Sequence, residues 1–109
     1  MTIQFNVPQN HVKEWVISYI MNKLVSFYEM DRTITRAEVN LKDEPTGEKH
    51  CDVNLTIPGD SLFASQTANS FEEASLHALN AIEQRLIRAS QSRFPLMKKF
   101  HSWRTKKLA

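Results

Sequence analysis

A chain of 109 residues with 41% hydrophobic and 24% charged residues is long enough for one domain with a modest core, and no apolar run in it approaches a membrane span. The net charge of +2 is unevenly distributed, because residues 1–92 carry eight Lys and Arg against 12 Asp and Glu, whereas residues 93–109 carry six Lys and Arg and no acid. A lone cysteine, Cys51, excludes an internal disulfide, and its place on an apolar strand face predicts a small buried hydrophobe.

The chain begins with a predicted strand and helix. Thr2–Asn6 places Ile3 and Phe5 on one face of a short strand, and a helix is predicted over residues 11–30 with Asn10 as its N-cap. On a helical wheel, one stripe faces the core: Val16, Ile17, Ile20, Leu24, Phe27 and Tyr28. Trp15 and Tyr19 fall beside this stripe, where aromatic rings either cover the core edge or offer a stacking surface.

Three strands with alternating polarity follow. Residues 34–42, 50–57 and 61–67 place apolar side chains on one face and polar ones on the other, which predicts antiparallel neighbours with one buried and one solvated face. Turns are expected at residues 43–47 and 58–60, which contain both glycines.

A second helix is predicted from Phe71 to about Gln91. Ser70 and Glu73 form the S-x-x-E pattern of a capping box at its start. Its predicted buried stripe is Phe71, Ala78, Leu79, Ile82, Leu86 and Ala89. The fold class is therefore α+β with the order β-α-β-β-β-α, one four-stranded sheet with two helices on one face. Residues 1–92 are the predicted domain and residues 93–109 a basic aromatic tail.

The tail interleaves cations with rings. Leu96, Phe100 and Trp103 recur at helical spacing, and Pro95 separates them from the second helix. This composition suits single-stranded RNA, since cations follow phosphates while rings stack on bases. The alternative is a protein- or membrane-interaction module that uses the same tail on an acidic protein or an anionic membrane.

The sequence lacks the usual signatures of catalysis. Two glycines cannot build a phosphate-binding loop, and the four histidines show no ligand spacing. His50, Cys51 and Asp52 are adjacent, but neighbours on a strand point to opposite faces and cannot share a metal. We expect no enzyme activity, no cofactor, no metal and no small-molecule substrate.

Residues 1–92 resemble the ribosome hibernation promoting factor family, which includes the ribosome-associated translation inhibitors. The resemblance rests on the element order and on three segments: residues 1–6 (MTIQFN), residues 34–41 (ITRAEVNL), and Ala64–Ser65 leading through Ser70 into the second helix. The chain resembles a short form, without the extra dimerising domain of the long members.

The resemblance implies a protein that occupies the decoding region of the small ribosomal subunit, contacts ribosomal RNA and inhibits translation in starvation or stationary phase. The lone cysteine, without an internal disulfide, favours the cytoplasm as its compartment. DNA and membranes are not expected partners. Family-like basic positions on the helices are Lys13, Lys23, Arg85 and Arg88, although Ala81 and Gln84 stand where further cations are expected. The tail adds candidate RNA-binding residues: Arg93, Lys98, Lys99, Trp103, Arg104, Lys106 and Lys107.

Overall fold

The computed structural model of the chain describes residues 1–8 and 12–93, and the side chains up to residue 89. The predicted order β-α-β-β-β-α is confirmed. The elements are β1 (Thr2–Asn6), α1 (Glu14–Met30), β2 (Arg36–Asp43), β3 (Lys49–Ile57), β4 (Asp60–Ala68) and α2 (Phe71–Arg93). The tail beyond residue 93 and the predicted cap Asn10 lie outside the described residues.

The four strands form one sheet in the order β1-β2-β3-β4. The pairs β2–β3 and β3–β4 are antiparallel, as the alternating pattern predicts, whereas β1 pairs parallel to β2. A parallel pair needs a long crossover connection, and α1 supplies it. Pro58 and Gly59 form the two-residue turn between β3 and β4, where the φ of +77° at Gly59 suits the third position of a type II turn.

Both helices cover the same face of the sheet and enclose one core. Four residues of the predicted α1 stripe are buried: Val16, Ile20, Leu24 and Phe27. The other two, Ile17 and Tyr28, are only half-buried. The predicted stripe of α2 is buried except for the partly buried Ala89. The sheet contributes Ala37, Val39, Leu41, Cys51, Val53, Leu55, Ile57, Leu62 and Ala64.

The start of α1 differs from the prediction. The helix begins at Glu14, three residues after the predicted start, because Lys13 keeps an extended backbone (φ −69°, ψ 144°). The carbonyl of Lys13 accepts the first backbone hydrogen bonds, from the N–H groups of Val16 and Ile17. No capping hydrogen bond is made by the Lys13 side chain. The prediction of Asn10 as the N-cap is therefore wrong, since Lys13 occupies that position.

The start of α2 is as predicted. The Oγ of Ser70 accepts a hydrogen bond from the backbone N–H of Glu73 at 3.2 Å, which satisfies one of the free donors in the first turn. The helix continues to Arg93, two residues beyond the predicted end. Within the described ranges, neither helix is long and apolar enough to cross a membrane.

Candidate nucleic-acid interface

The C-terminal half of α2 presents two exposed cations. Arg85 and Arg88 are three residues apart and therefore lie on neighbouring positions of one helix flank. The Nε of Arg88 donates a hydrogen bond to the carbonyl of Gln84 at 3.4 Å. Neither guanidinium forms an ion pair among the described residues. Both charges are therefore available to an anionic ligand.

Lys23 is in a different situation. Its Nζ lies 3.5 Å from Oε2 of Glu83 on α2 and 5.7 Å from the centre of the Phe27 ring. Its side chain is only 26% exposed. The carboxylate of Glu83 therefore already compensates the charge of Lys23 within the domain. A phosphate that approaches Lys23 must either displace Glu83 or bind beside its negative charge.

Lys13 does not lie on α1, contrary to the prediction, but immediately before it. The two helices run side by side in the same direction, since Trp15 lies beside Glu72 near their N-termini and Lys23 meets Glu83 further along. Arg88 follows Glu72 by 16 residues, so it lies about 24 Å along the helix direction from the end of the helix pair where Glu72, Trp15 and Lys13 lie.

The helical cations also face different sides of the helix pair. Glu83 marks the flank of α2 that faces α1, because it pairs with Lys23. Arg85 and Arg88 follow Glu83 by two and five residues, which places them about 200° and 140° further around the helix. They therefore lie on the flank away from α1, and the four predicted positions do not form one continuous patch.

The remaining predicted residues belong to the end of α2 and to the tail. Arg93 is the last residue of α2, so the exposed arginine flank leads directly into the basic tail. Lys98, Lys99, Trp103, Arg104, Lys106 and Lys107 lie outside the described residues, and their role remains a prediction.

The open face of the sheet carries polar contacts that the sequence analysis did not identify. The Nδ2 of Asn6 donates to Oδ1 of Asn40 at 2.6 Å, joining β1 to β2. Arg36 contacts both Gln4 and Glu38. Phe63 lies on this same face and is 49% exposed. Alternation predicted that Arg36, Glu38 and Asn40 share the solvated face, but not that the apolar Phe63 lies there, and only the strand register shows which residues meet.

A serine, a histidine and an aspartate also meet on the open face. The Nε2 of His50 lies 2.6 Å from Oδ1 of Asp52 and 3.0 Å from Oγ of Ser65. In a hydrolase triad the aspartate and the serine engage different ring nitrogens, so that one orients the ring while the other accepts the proton. Here both contacts involve Nε2, and the arrangement cannot relay a proton in that way.

Cys51 lies between these residues in sequence but on the buried face. Burial raises the pKa of its thiol from 9.0 to about 11, and the nearby charge of Asp52 acts in the same direction. A thiol with a raised pKa is a poor nucleophile near neutral pH, as expected for a structural cysteine. Among the described residues, no group of three His, Cys, Asp or Glu side chains is placed to hold a metal ion.

Comparisons with known proteins cover most of the chain. A family model described as Sigma 54 modulation protein / S30EA ribosomal protein matches residues 3–93. A ribosomal subunit interface protein from Coxiella burnetii has a similar structure with a TM-score of 0.71 and 16% identity, over 83% of this chain and 98% of that one. The Protein Y N-terminal domain from Thermus thermophilus gives a TM-score of 0.68 and 16% identity, over 81% and 98%. No curated protein sequence matches the chain.

Proposed function

We propose that this chain, which belongs to the Sigma 54 modulation protein / S30EA ribosomal protein family, binds ribosomal RNA in the decoding region of the small ribosomal subunit and inhibits translation. The observation that carries the proposal is the family match over residues 3–93. The similarity to a ribosomal subunit interface protein supports it at the level of the fold. The protein would act in the cytoplasm during starvation or stationary phase, as a non-catalytic factor.

The distribution of charge supports an RNA contact at the C-terminal end of the molecule. Residues 1–92 carry a net charge of −4, whereas residues 93–109 carry +6. The exposed Arg85 and Arg88 lie on the part of α2 that leads into the tail. We therefore propose that this flank and the tail form the RNA contact together, with Trp103 stacking on a base. The paired Lys23 contributes less.

Sedimentation tests the proposal. Purified protein is mixed with small subunits, large subunits or whole ribosomes and run through a sucrose gradient. We expect it to run with the small subunit and with whole ribosomes, and to inhibit translation of a reporter messenger in a purified system. Because each neutralised phosphate releases counterions, binding should weaken steeply as monovalent salt rises. Sedimentation with the large subunit alone would contradict the proposal.

A charge-matched pair of variants localises the contact. Arg85→Gln with Arg88→Gln removes two exposed cations from the α2 flank, and Arg32→Gln with Lys42→Gln removes two exposed cations elsewhere. We expect at least a tenfold loss of ribosome affinity for the first pair and a smaller loss for the second. Equal losses would show that net charge, and not this flank, determines binding.

Vesicles address the alternative of a membrane-docking module. The full-length protein is floated with vesicles that contain anionic lipid, in the presence and absence of small subunits. Binding to vesicles without binding to ribosomes would assign the tail to a membrane surface and overturn the proposal.

A further inference from the structure

An apolar groove lies between the N-terminal halves of the two helices. We call this the interhelical groove; it has a volume of about 290 Å³ and is lined by Trp15, Val16, Tyr19, Glu72, Glu73 and Leu76. Trp15 is 57% exposed and Leu76 is 41% exposed, although both are large apolar side chains. Adjacent exposed apolar side chains of this size commonly mark a contact surface.

The rim of the groove is acidic. Glu72 and Glu73 line it from the first turn of α2, and Glu14 lies in the first turn of α1. None of the residues that line the groove is basic. A matching ligand therefore combines an apolar or aromatic group with positive charge.

The tail of the same chain has this chemistry. It carries Leu96, Phe100 and Trp103, and three cations follow within four residues of the tryptophan: Arg104, Lys106 and Lys107. Attachment to the domain also favours it over a separate molecule, since a short tether gives an effective concentration in the millimolar range.

The length of the tail fits the distance to the groove. Arg93, the last residue of α2, follows Leu76 by 17 residues, so the groove lies about 26 Å back along the helix. The ten residues 94–103 span at most about 33–36 Å when extended. Trp103 can therefore reach the groove. Phe100, three residues earlier, spans at most about 23–25 Å, so Trp103 has the more ample reach.

We propose that in the free protein the tail folds back along the helix pair and docks Trp103 into the interhelical groove, with the following cations against Glu72 and Glu73. The groove would then hold residues that the proposed RNA contact requires. This consequence for regulation rests on the proposed function: RNA must displace the docked tail. The docking itself rests on the groove, its charge and the reach of the tail.

A spin label on the tail tests the docking in the full chain. Thr105→Cys introduces a thiol that can be labelled selectively, because Cys51 is buried and its thiol pKa is raised to about 11. We expect selective broadening of the amide signals of Trp15, Tyr19 and Leu76 in ¹⁵N-labelled protein. Broadening confined to the C-terminal end of α2, or spread evenly over the surface, would overturn the proposal.

Matched variants identify the groove as the docking site. Leu76→Asp and Phe63→Asp each place a charge at an exposed apolar position, the first in the groove and the second on the open sheet face. Leu76→Asp should abolish the broadening, whereas Phe63→Asp should leave it unchanged. Glu72→Gln with Glu73→Gln should weaken it severalfold, with a folded spectrum as control. Persistence of the broadening in Leu76→Asp would overturn the proposal.

A mixed sample separates docking within one chain from docking between two copies. Spin-labelled protein without ¹⁵N is combined with ¹⁵N-labelled protein without the spin label. We expect no broadening in this mixture at the concentration where protein that carries both the spin label and ¹⁵N in one chain shows broadening. Equal broadening would mean that the groove takes the tail of a second copy, which contradicts the proposal and leaves the proposed ribosome binding untouched.

Discussion

Lys23 on α1 is joined to Glu83 on α2 by an ion pair of 3.5 Å, with the lysine only 26% exposed and the glutamate 28% exposed. The pair connects the helices about halfway along their shared length. Its cation, Lys23, is one of the positions for which the family resemblance implies RNA binding. A pair of this partial exposure contributes at most about 1 kcal/mol to stability. Its larger effect is on the charge that the helix face presents to a ligand.

We predict that Lys23→Gln and Arg88→Gln have unequal effects on RNA binding. Arg88 is exposed and forms no ion pair within the part of the chain that the structure describes, so its loss removes a charge directly available to phosphate. We expect Arg88→Gln to weaken affinity for small subunits more than Lys23→Gln, and Glu83→Gln to strengthen it by freeing Lys23. Filter binding at fixed salt measures all three. A loss for Lys23→Gln as large as that for Arg88→Gln would show that the ion pair opens when RNA binds.

A second prediction concerns the core. Leu55 lies on β3 and is fully buried between the sheet and the helices. Leu55→Ala should lower the free energy of unfolding by about 2–5 kcal/mol, as expected when a large side chain leaves a cavity. Urea unfolding measures the change, with a substitution of the exposed Thr67 on β4, Thr67→Ala, as a control that should stay within about 0.5 kcal/mol. Wild-type stability of the leucine variant would contradict this packing.

The cap of α2 gives a third prediction. Ser70→Ala removes the hydroxyl that accepts the Glu73 N–H and should cost about 0.5–2 kcal/mol. Ser70→Asp retains an acceptor and adds a negative charge at the helix N-terminus, so it should remain close to wild type. Thermal unfolding of the two variants provides the comparison. Equal melting temperatures would show that the hydroxyl contributes nothing to the helix.

From the raised thiol pKa of the buried Cys51 we predict a loss of stability at alkaline pH. In the folded protein its thiol has a pKa of about 11 against an ordinary 9.0, so between these values the unfolded chain binds fewer protons than the folded one. Stability therefore falls as pH rises through this interval, by about 3 kcal/mol in total for the difference between the two pKa values. Cys51→Ala should lack this component. The unfolding free energy of the variant should therefore change less between pH 8 and pH 10.5 than that of the wild type.

The sequence predicted most of the fold because its local signals agree with the tertiary structure. Alternation identified β2, β3 and β4, and the S-x-x-E pattern located the start of α2. The start of α1 was not found, because Lys13 caps the helix through its backbone alone and leaves no capping residue to detect. The parallel pairing of β1 with β2 depends on the packing of α1 and has no local signature.

The contacts of the candidate site were harder to predict than its residue types. A two-residue turn at Pro58 and Gly59, rather than the expected three residues, sets the register that places Ser65 opposite Asp52 and brings it within reach of His50. The pairing of Lys23 with Glu83 depends on how the two helices lie against each other. Neither relationship follows from composition or periodicity along one element.

The parallel pairing of β1 with β2 has a consequence for the order of folding. Thr2 pairs with Arg36, 34 residues away, whereas the β3–β4 hairpin closes over a two-residue turn. Closing the longer loop costs more chain entropy, and the parallel pair cannot form before α1 has crossed the sheet. We therefore expect the β2–β3–β4 meander to form first and β1 to join last. In hydrogen exchange, the amides of β1 should accordingly open at lower free energy than those of central β3.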